Sequence, residues 1–328
     1  MPGKWEDVMG KAAESSATTE RSTARHLFRL VKDIPREREW QQELTAVLER
    51  GVQTTEGVGV HAIADGSVPI IMCLWNRPER IRGIISMLEA LDGKPPVRLV
   101  LWNNNAEDAD FYAGVVREWH DRNRTCDEDR TLRSIDLINS PRNFGGLGRF
   151  LAARLMWNDG YRGPIVTLDD DQDVSPRFIR DLDRQWTPRS IVPWWGFRLH
   201  GSYWRRSEIE PGTTPDHAGT GGTMLDVALV SDDRFFARLP HRYAYLEDQW
   251  MSFFAQQEHW RITKARTDIT LVSEEKNQYH GLKPLKDVFY VWQRTVGAFW
   301  LRLPHRRRAG WARGRITGAD DRFSSTGR

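Results

Sequence analysis

Four times between residues 68 and 169 the chain runs through a short apolar segment, ends it on polar residues and then turns helical. The segments are VPIIMCL (68–74), VRLVLW (97–102), SIDLI (134–138) and PIVTL (164–168). Runs of this length read as strands, and strands alternating with helices predict βαβ units with a parallel sheet. They are apolar throughout, as expected when helices cover both sheet faces. The helices are expected from the Asn76-Arg77-Pro78 turn to Leu91, from about Asp108 to His120, and from about Gly148 to Asn158. In open sheets of this kind ligands bind beyond the carboxyl ends of the strands. Here those ends read Asn76-Arg77, Asn103 to Asn105, Asn139 and Asp169 to Asp171.

LDDDQDVSP (168–176) is the most informative of these ends. Neighbouring carboxylates destabilise one another unless a cation neutralises them. Carboxylate oxygens suit hard ions such as Mg2+ and Mn2+, and the Asp169-x-Asp171 spacing lets two of them reach one ion. Asp173 or Ser175 could instead cap a helix starting near Pro176, but one cap does not require four Asp.

Three segments in order now carry a resemblance. They are PIIMCLWNRPERI (69–81), NFGGLGRFLAARLMWNDGY with the acidic strand end that follows it (143–176), and YLEDQWMSFFAQQEHWRI (245–262). Over roughly 68–282 the chain resembles the GT-A glycosyltransferases of the family-2 type. The resemblance implies an α/β, Rossmann-like, mostly parallel sheet flanked by helices. It implies an inverting transfer of a sugar from a nucleotide-diphosphate sugar to a hydroxyl acceptor, with Mn2+ or Mg2+ as cofactor. Asp169 and Asp171 match the DxD motif that binds metal and donor, with Asp170 orienting the donor. Asp248, second of the Glu247-Asp248 pair, matches the catalytic base, and His280 stands where many members place a metal-binding histidine. UDP is the first expectation for the donor, but the acidic residue that commonly reads uracil is replaced here by Asn103-Asn104-Asn105.

The same residues make chemical sense directly. A leaving diphosphate builds negative charge that a divalent ion offsets, and a carboxylate that takes the acceptor proton is worth roughly 10²–10⁴-fold in rate. A helix N-terminus would favour ionised Asp248, whereas the aromatics that follow it (Trp250, Phe253, Phe254) would raise its pKa; the sequence leaves both open. Asn143, Gly145 and their neighbours, before a helix, can present N–H groups to an anion, and Arg77 and Arg149 are candidates for phosphate. Asn76, Asn103 and Asn104 complete the donor-side candidates. Trp194, Trp195 and Trp204, with Gly221, Gly222, Thr223 and Glu247, are the acceptor-side candidates, since aromatic faces stack on sugars. Each also has a structural reading: core tryptophan, turn glycine, helix-end charge.

Outside 68–282 the chain is different. Residues 1–20 read as disordered, helices are expected over about 22–33 and 35–50, and 51–67 as a connector. From Phe289 to Arg328 there are nine Arg against two Asp, while the other 288 residues carry a net charge of −4. This aromatic, basic tail (283–328) is expected to dock on the body or a second subunit, to lie on an anionic membrane, or to touch nucleic acid through its Arg residues and Trp311. Two cysteines give no disulfide framework, and no apolar leader or 18-residue apolar span is present, so a cytoplasmic protein, peripheral at the membrane under the second tail reading, is expected. The acceptor stays open between a glycan, a lipid-linked glycan and hydroxylated DNA, and a non-catalytic nucleotide-sugar or nucleic-acid binding module is the alternative to an enzyme.

Overall fold

The computed structural model describes residues 35–57, 66–93, 95–124, 129–272, 282–305 and 308–318. The expected helix over 22–33, the polar start and His280 lie outside these residues. Helix α1 (35–50) forms as expected, with Trp40, Leu44, Val47 and Leu48 buried. The chain divides into two units, 1–44 and 45–328, and every strand among the described residues lies in the second.

The elements in order are β1 (Val52–Glu56), β2 (Val68–Leu74), α2 (Ile81–Glu89), β3 (Val97–Asn103), α3 (Ala109–Arg122), β4 (Leu132–Asn139), α4 (Leu147–Asn158), β5 (Pro164–Asp169), β6 (Gln172–Val174) and α5 (Phe178–Asp183). Then come β7 (Ser190–Pro193), β8 (Gly196–Leu199), β9 (Arg206–Glu208), β10 (His217–Ala218), β11 (Thr223–Asp226), α6 (Arg234–Ala237) and α7 (Glu247–Gln257). The chain closes with β12 (Arg261–Ile262), β13 (Ile269–Leu271), α8 (Lys283–Trp292), α9 (Ala298–Arg302) and β14 (Ile316–Thr317).

The central sheet has the order β12-β7-β11-β5-β2-β3-β4-β1-β14. The four apolar runs form its middle and pair in parallel, β5 to β2, β2 to β3 and β3 to β4. β11 enters antiparallel between β5 and β7. This is the mixed α/β class, a large and mostly parallel sheet flanked by helices, that the sequence predicts. Alternate residues of the strands face opposite layers. Ile70, Met72, Leu99 and Leu101 pack with Ile84, Leu88, Val116 and Trp119 of α2 and α3 in one buried cluster. On the sheet side that α4 covers, Phe150, Leu151 and Leu155 are fully buried. Each such side chain contributes roughly 1.5–3 kcal/mol on burial.

Two findings depart from the sequence reading, the strand in the connector and the burial of Trp311, and a third, the tail docking on the body, meets one of its expectations. The connector expected over 51–67 contains β1, paired antiparallel to β4. The tail returns to the sheet, where β14 pairs in parallel with β1. Trp311 of that tail is fully buried and packs edge-on to Phe236, so it is not available to stack on a nucleic-acid base. Local periodicity could not show these, because each short strand is made only by pairing with residues far away in sequence. Among the described residues no helix is long and apolar enough to cross a membrane.

Candidate active site

Beyond the carboxyl ends of β2 and β5 lies a cavity of about 520 Å3. The turn after β2 supplies Trp75, Asn76 and Arg77, the end of β5 supplies Asp169, Asp170 and Asp171, and the entry to α4 supplies Asn143, Gly145, Gly146 and Arg149. Asn104 and Glu247 also line it. Strands placed in parallel bring these ends to one edge although they are up to about a hundred residues apart in sequence.

The acidic cluster is met by arginines. Arg77 Nη1 lies 2.6 Å from Asp170 Oδ1, and its Nη2 lies 3.5 Å from Asp171 Oδ2. Arg149 Nη2 lies 2.8 Å from Asp169 Oδ1. Asp173 faces outward to Arg80 at 2.6 Å, and no side chain caps α5, so helix capping does not explain the cluster. Burial pushes Asp170 up to about 6 despite Arg77, and burial with the charge of Asp169 raises Asp171. The arginines therefore only partly offset what burial and the neighbouring carboxylates do to Asp170 and Asp171.

The loop before α4 is held by amides. Asn104 Nδ2 donates to Gly145 O at 3.1 Å, and Asn104 Oδ1 accepts from Phe144 N at 3.1 Å. Asn143 Oδ1 accepts from Gly145 N at 2.7 Å, and Tyr245 Oη donates to Asn143 O at 3.0 Å. Gly145 has φ +57, and a Cβ there would collide with the Tyr245 ring; both facts require glycine. Gly148 lies so close to the buried Trp102 indole that a Cβ would overlap it, which lets α4 approach β3 and carry Arg149 to the cavity. Asn103 does not line the cavity: its Nδ2 donates to Asn139 Oδ1 at 2.9 Å and to Asn105 O at 2.8 Å, and its Oδ1 accepts from Asn105 N. The amides of Asn103 and Asn104 thus shape the loops, and their polar atoms are spent within the protein.

Glu247 and Asp248 open α7 and face different surroundings. Burial pushes Glu247 up to about 7, with Arg149 pulling against it and Asp248 adding to it. The Glu247 carboxylate fills the space a Cβ on Gly146 would need. Burial also pushes Asp248 up, but His217, Lys286 and the Gln249 N–H outweigh it and hold the carboxyl well below its ordinary range. His217 Nε2 lies 3.4 Å from Asp248 Oδ2, and Gln249 N donates to Asp248 Oδ1 at 2.7 Å. The question left open by sequence is answered here by specific partners.

Ser252 ties α7 to β10, which carries His217, by accepting from Ala218 N at 2.9 Å and donating to Asp248 O at 2.9 Å. Around His217 runs a line of rings. Trp194 stacks on Trp195 (5.0 Å, 15°), Trp195 meets Phe197 at 5.7 Å, and Phe197 stacks on His217 at 6.2 Å. Tyr203 lies 5.2 Å from His217 and edge-on to the exposed Trp204 at 5.1 Å. Lys286 Nζ reaches Tyr203 Oη at 3.2 Å.

Of the other acceptor-side candidates, Gly221 packs against Asp169 and Gln172, and Gly222 (φ +68) against Ile269 and Trp194. Thr223 is buried in β11 and donates to Gly219 O at 2.7 Å. Sequence reasoning missed His217, Tyr203, Ser252 and Lys286. The only local signal was a histidine beside a glycine-rich stretch, with no spacing to link it to Asp248.

No family model and no curated protein matches this sequence. Among solved structures, the chain is similar to S. aureus TarS 1–349 in complex with UDP-GlcNAc, at 16% identity over 64% of this chain and 60% of that one, with a TM-score of 0.46. It is also similar to the mannosyltransferase PcManGT from Pyrobaculum calidifontis in complex with GDP-Man and Mn2+, at 12% identity over 85% of this chain and 79% of that one, with a TM-score of 0.48. The chain spans 60% of TarS 1–349 in that complex and 57% of it in a second structure of the same fragment. At these identities the likeness is one of fold.

Proposed function

We propose that the chain is an inverting glycosyltransferase of the GT-A, family-2 type, moving a sugar from a nucleotide-diphosphate donor to a hydroxyl acceptor with a divalent metal. The observation that carries this reading is the meeting of two features at the start of α7, where Glu247 lines the one and Asp248 belongs to the other. One is a cavity walled by three consecutive Asp and two arginines. The other is Asp248, half-buried and ionised, at the head of α7 beside a line of aromatic rings.

Arg77 and Arg149 are positioned to take the oxygens of a diphosphate, since guanidinium groups bind phosphate as readily as carboxylate. Asp169 and Asp171 fit a hard cation: they are oxygen donors, and burial together with the charge of Asp169 raises Asp171. Among the described residues no group of three or more His, Cys, Asp or Glu gathers as a metal cage, so two carboxylates and the donor itself would hold the ion. When bound it supplies Lewis-acid compensation for the leaving diphosphate. Asp248 accepts the acceptor's hydroxyl proton, and His217 and Lys286 keep it ionised to do so. Trp204, exposed and backed edge-on by the buried Tyr203, offers the acceptor sugar or ring a face to stack on.

A thermal-shift panel of nucleotide-sugars with and without Mn2+ tests this. A donor at about 100 times its Kd stabilises by about 2.7 kcal/mol, and the rise should depend on Mn2+. If no nucleotide-sugar shifts the melting curve under either condition, the reading fails.

A further inference from the structure

The C-terminal helical run does two things at once. One side is packed into the body: Phe289 stacks on Tyr243 at 4.1 Å, and Leu301 is buried. The other side carries Val288, Val291, Val296, Phe299 and Trp300, exposed by 46%, 56%, 46%, 68% and 36%. Scattered apolar residues on a surface need no explanation, but five within thirteen residues of one helix are a patch.

The backbone keeps these residues together. Between α8 and α9 the helix passes through a π turn over Gln293–Gly297. A π turn advances less per residue than an α turn, so it swings Val296, Phe299 and Trp300 back toward the side of Val288 and Val291. A regular α-helix would spread the same residues over about half of its circumference. Trp300 is fixed in place, its Nε1 donating to Arg238 O at 3.0 Å with the Arg238 guanidinium 5.0 Å over the ring.

Charge decides among the occupants. From Lys283 to Arg302 the helical run has four Lys or Arg and one acid, Asp287, and Asp287 is occupied by the Tyr203 N–H at 2.7 Å. Arg294 and Arg302 are exposed beside the apolar residues. Arg294 lies over Tyr290, and neither arginine forms an ion pair among the described residues. A second copy of so basic a surface would be repelled. Nucleic acid would leave the valines and Phe299 in water, and the tryptophan suited to stack on a base, Trp311, is buried.

We propose that the helical run 283–302 lies on an anionic lipid bilayer, with Val288, Val291, Val296 and Phe299 in the interface and Arg294 and Arg302 on lipid phosphates. An apolar helix face flanked by Arg binds such surfaces by area and charge together. Lys286 of the same helix faces Tyr203 beside Asp248, so the attachment lies next to the proposed acceptor side.

Sedimentation of the full chain with vesicles tests this, using phosphatidylcholine alone and phosphatidylcholine mixed with phosphatidylglycerol. The wild type should sediment with the mixed vesicles, less so as salt rises, and stay in solution with the neutral ones. Val291→Ser with Phe299→Ser should lower partitioning by roughly tenfold or more, and Arg294→Gln with Arg302→Gln by a similar factor with most of the salt dependence lost. Both pairs are solvent-facing, so thermal melting should be unchanged, and a donor-induced melting shift, if the wild type shows one, should be too. Absence of sedimentation with mixed vesicles overturns the proposal. So does wild-type-like binding by the Val291/Phe299 variant, a dimer that this variant dissociates, or tight DNA binding that it leaves intact while vesicles are ignored.

Discussion

Glu247 and Asp248 are adjacent in the chain yet belong to opposite halves of the site. Glu247 looks into the donor-side cavity, shares Arg149 with Asp169, and is pushed up to about 7 by burial. Asp248 looks toward the aromatic side, and there His217 and Lys286 overcome burial and hold it down. One helix start thus yields a carboxyl that gains a proton near neutrality and a carboxylate that keeps none. Environments that push paired titratable groups apart are how one fold separates acid, base and structural roles. The donor half is built from strand-end loops and the arginines that neutralise them. The other half is built from β10, the 203–204 turn and α8, three segments with nothing in common locally.

The largest difference expected between the halves is catalytic. Asp248→Asn keeps the shape, and Ser252 still bonds the backbone carbonyl at 248, but a proton acceptor is lost. Transfer should fall by about 10²–10⁴-fold while the donor-induced melting shift is retained. Unchanged turnover in this variant would remove Asp248 from the chemistry. Next is Asp171→Ala on the donor side. It should weaken Mn2+-dependent nucleotide binding by roughly 10–100-fold, as loss of metal-site support does, with metal-independent binding through Arg77 and Arg149 reduced much less. Equal losses with and without Mn2+, in titrations followed by melting temperature, would make Asp171 a structural partner of Arg77 instead.

The two halves were unequally legible in the sequence. The strand ends Asn76-Arg77, Asn143 to Arg149 and Asp169 to Asp171 could be placed at one edge because the apolar runs are local and the parallel sheet aligns them. The cavity gathers nearly all of them. Asn103 looked equivalent, but only the structure shows its amide spent on Asn139 and Asn105. His217 and Lys286 were illegible, because β10 exists only through β8 and Ser252, and Lys286 arrives on a helix that read as tail. Short strands such as β1 and β14 were hidden for the same reason: pairing, not propensity, makes them.

Glu247→Gln tests the donor half through stability. A carboxyl whose folded pKa exceeds its unfolded value binds its proton more tightly when folded. Its contribution is then harmless below the ordinary carboxylate range and becomes a penalty as pH rises toward about 7, constant above it. The Gln variant has no such slope. It should match the wild type near about pH 4 and exceed it by roughly 1–3 kcal/mol near about pH 8, as measured by urea melts. A variant less stable than the wild type at the higher pH would show that the Arg149 pairing outweighs burial.

His217→Ala tests the other half, with the smallest effect at neutral pH and the most specific signature. Asp248 must be ionised to accept a proton, so the acid limb of kcat/KM should lie below the ordinary carboxylate range in the wild type. Removing His217 takes away the hydrogen bond and charge that oppose burial, so the Asp248 pKa rises and the limb moves to higher pH. Stability follows the same sign. A carboxyl held below its unfolded value stabilises the fold above the ordinary carboxylate range and loses that contribution as pH falls. The variant should therefore cost stability at neutral pH and progressively less in acid. Lys286→Met removes the weaker of the two influences and should move the limb in the same direction by less. If His217→Ala lowers kcat at every pH without moving the limb, the histidine positions the acceptor and leaves the ionisation of Asp248 to Lys286 and the Gln249 N–H.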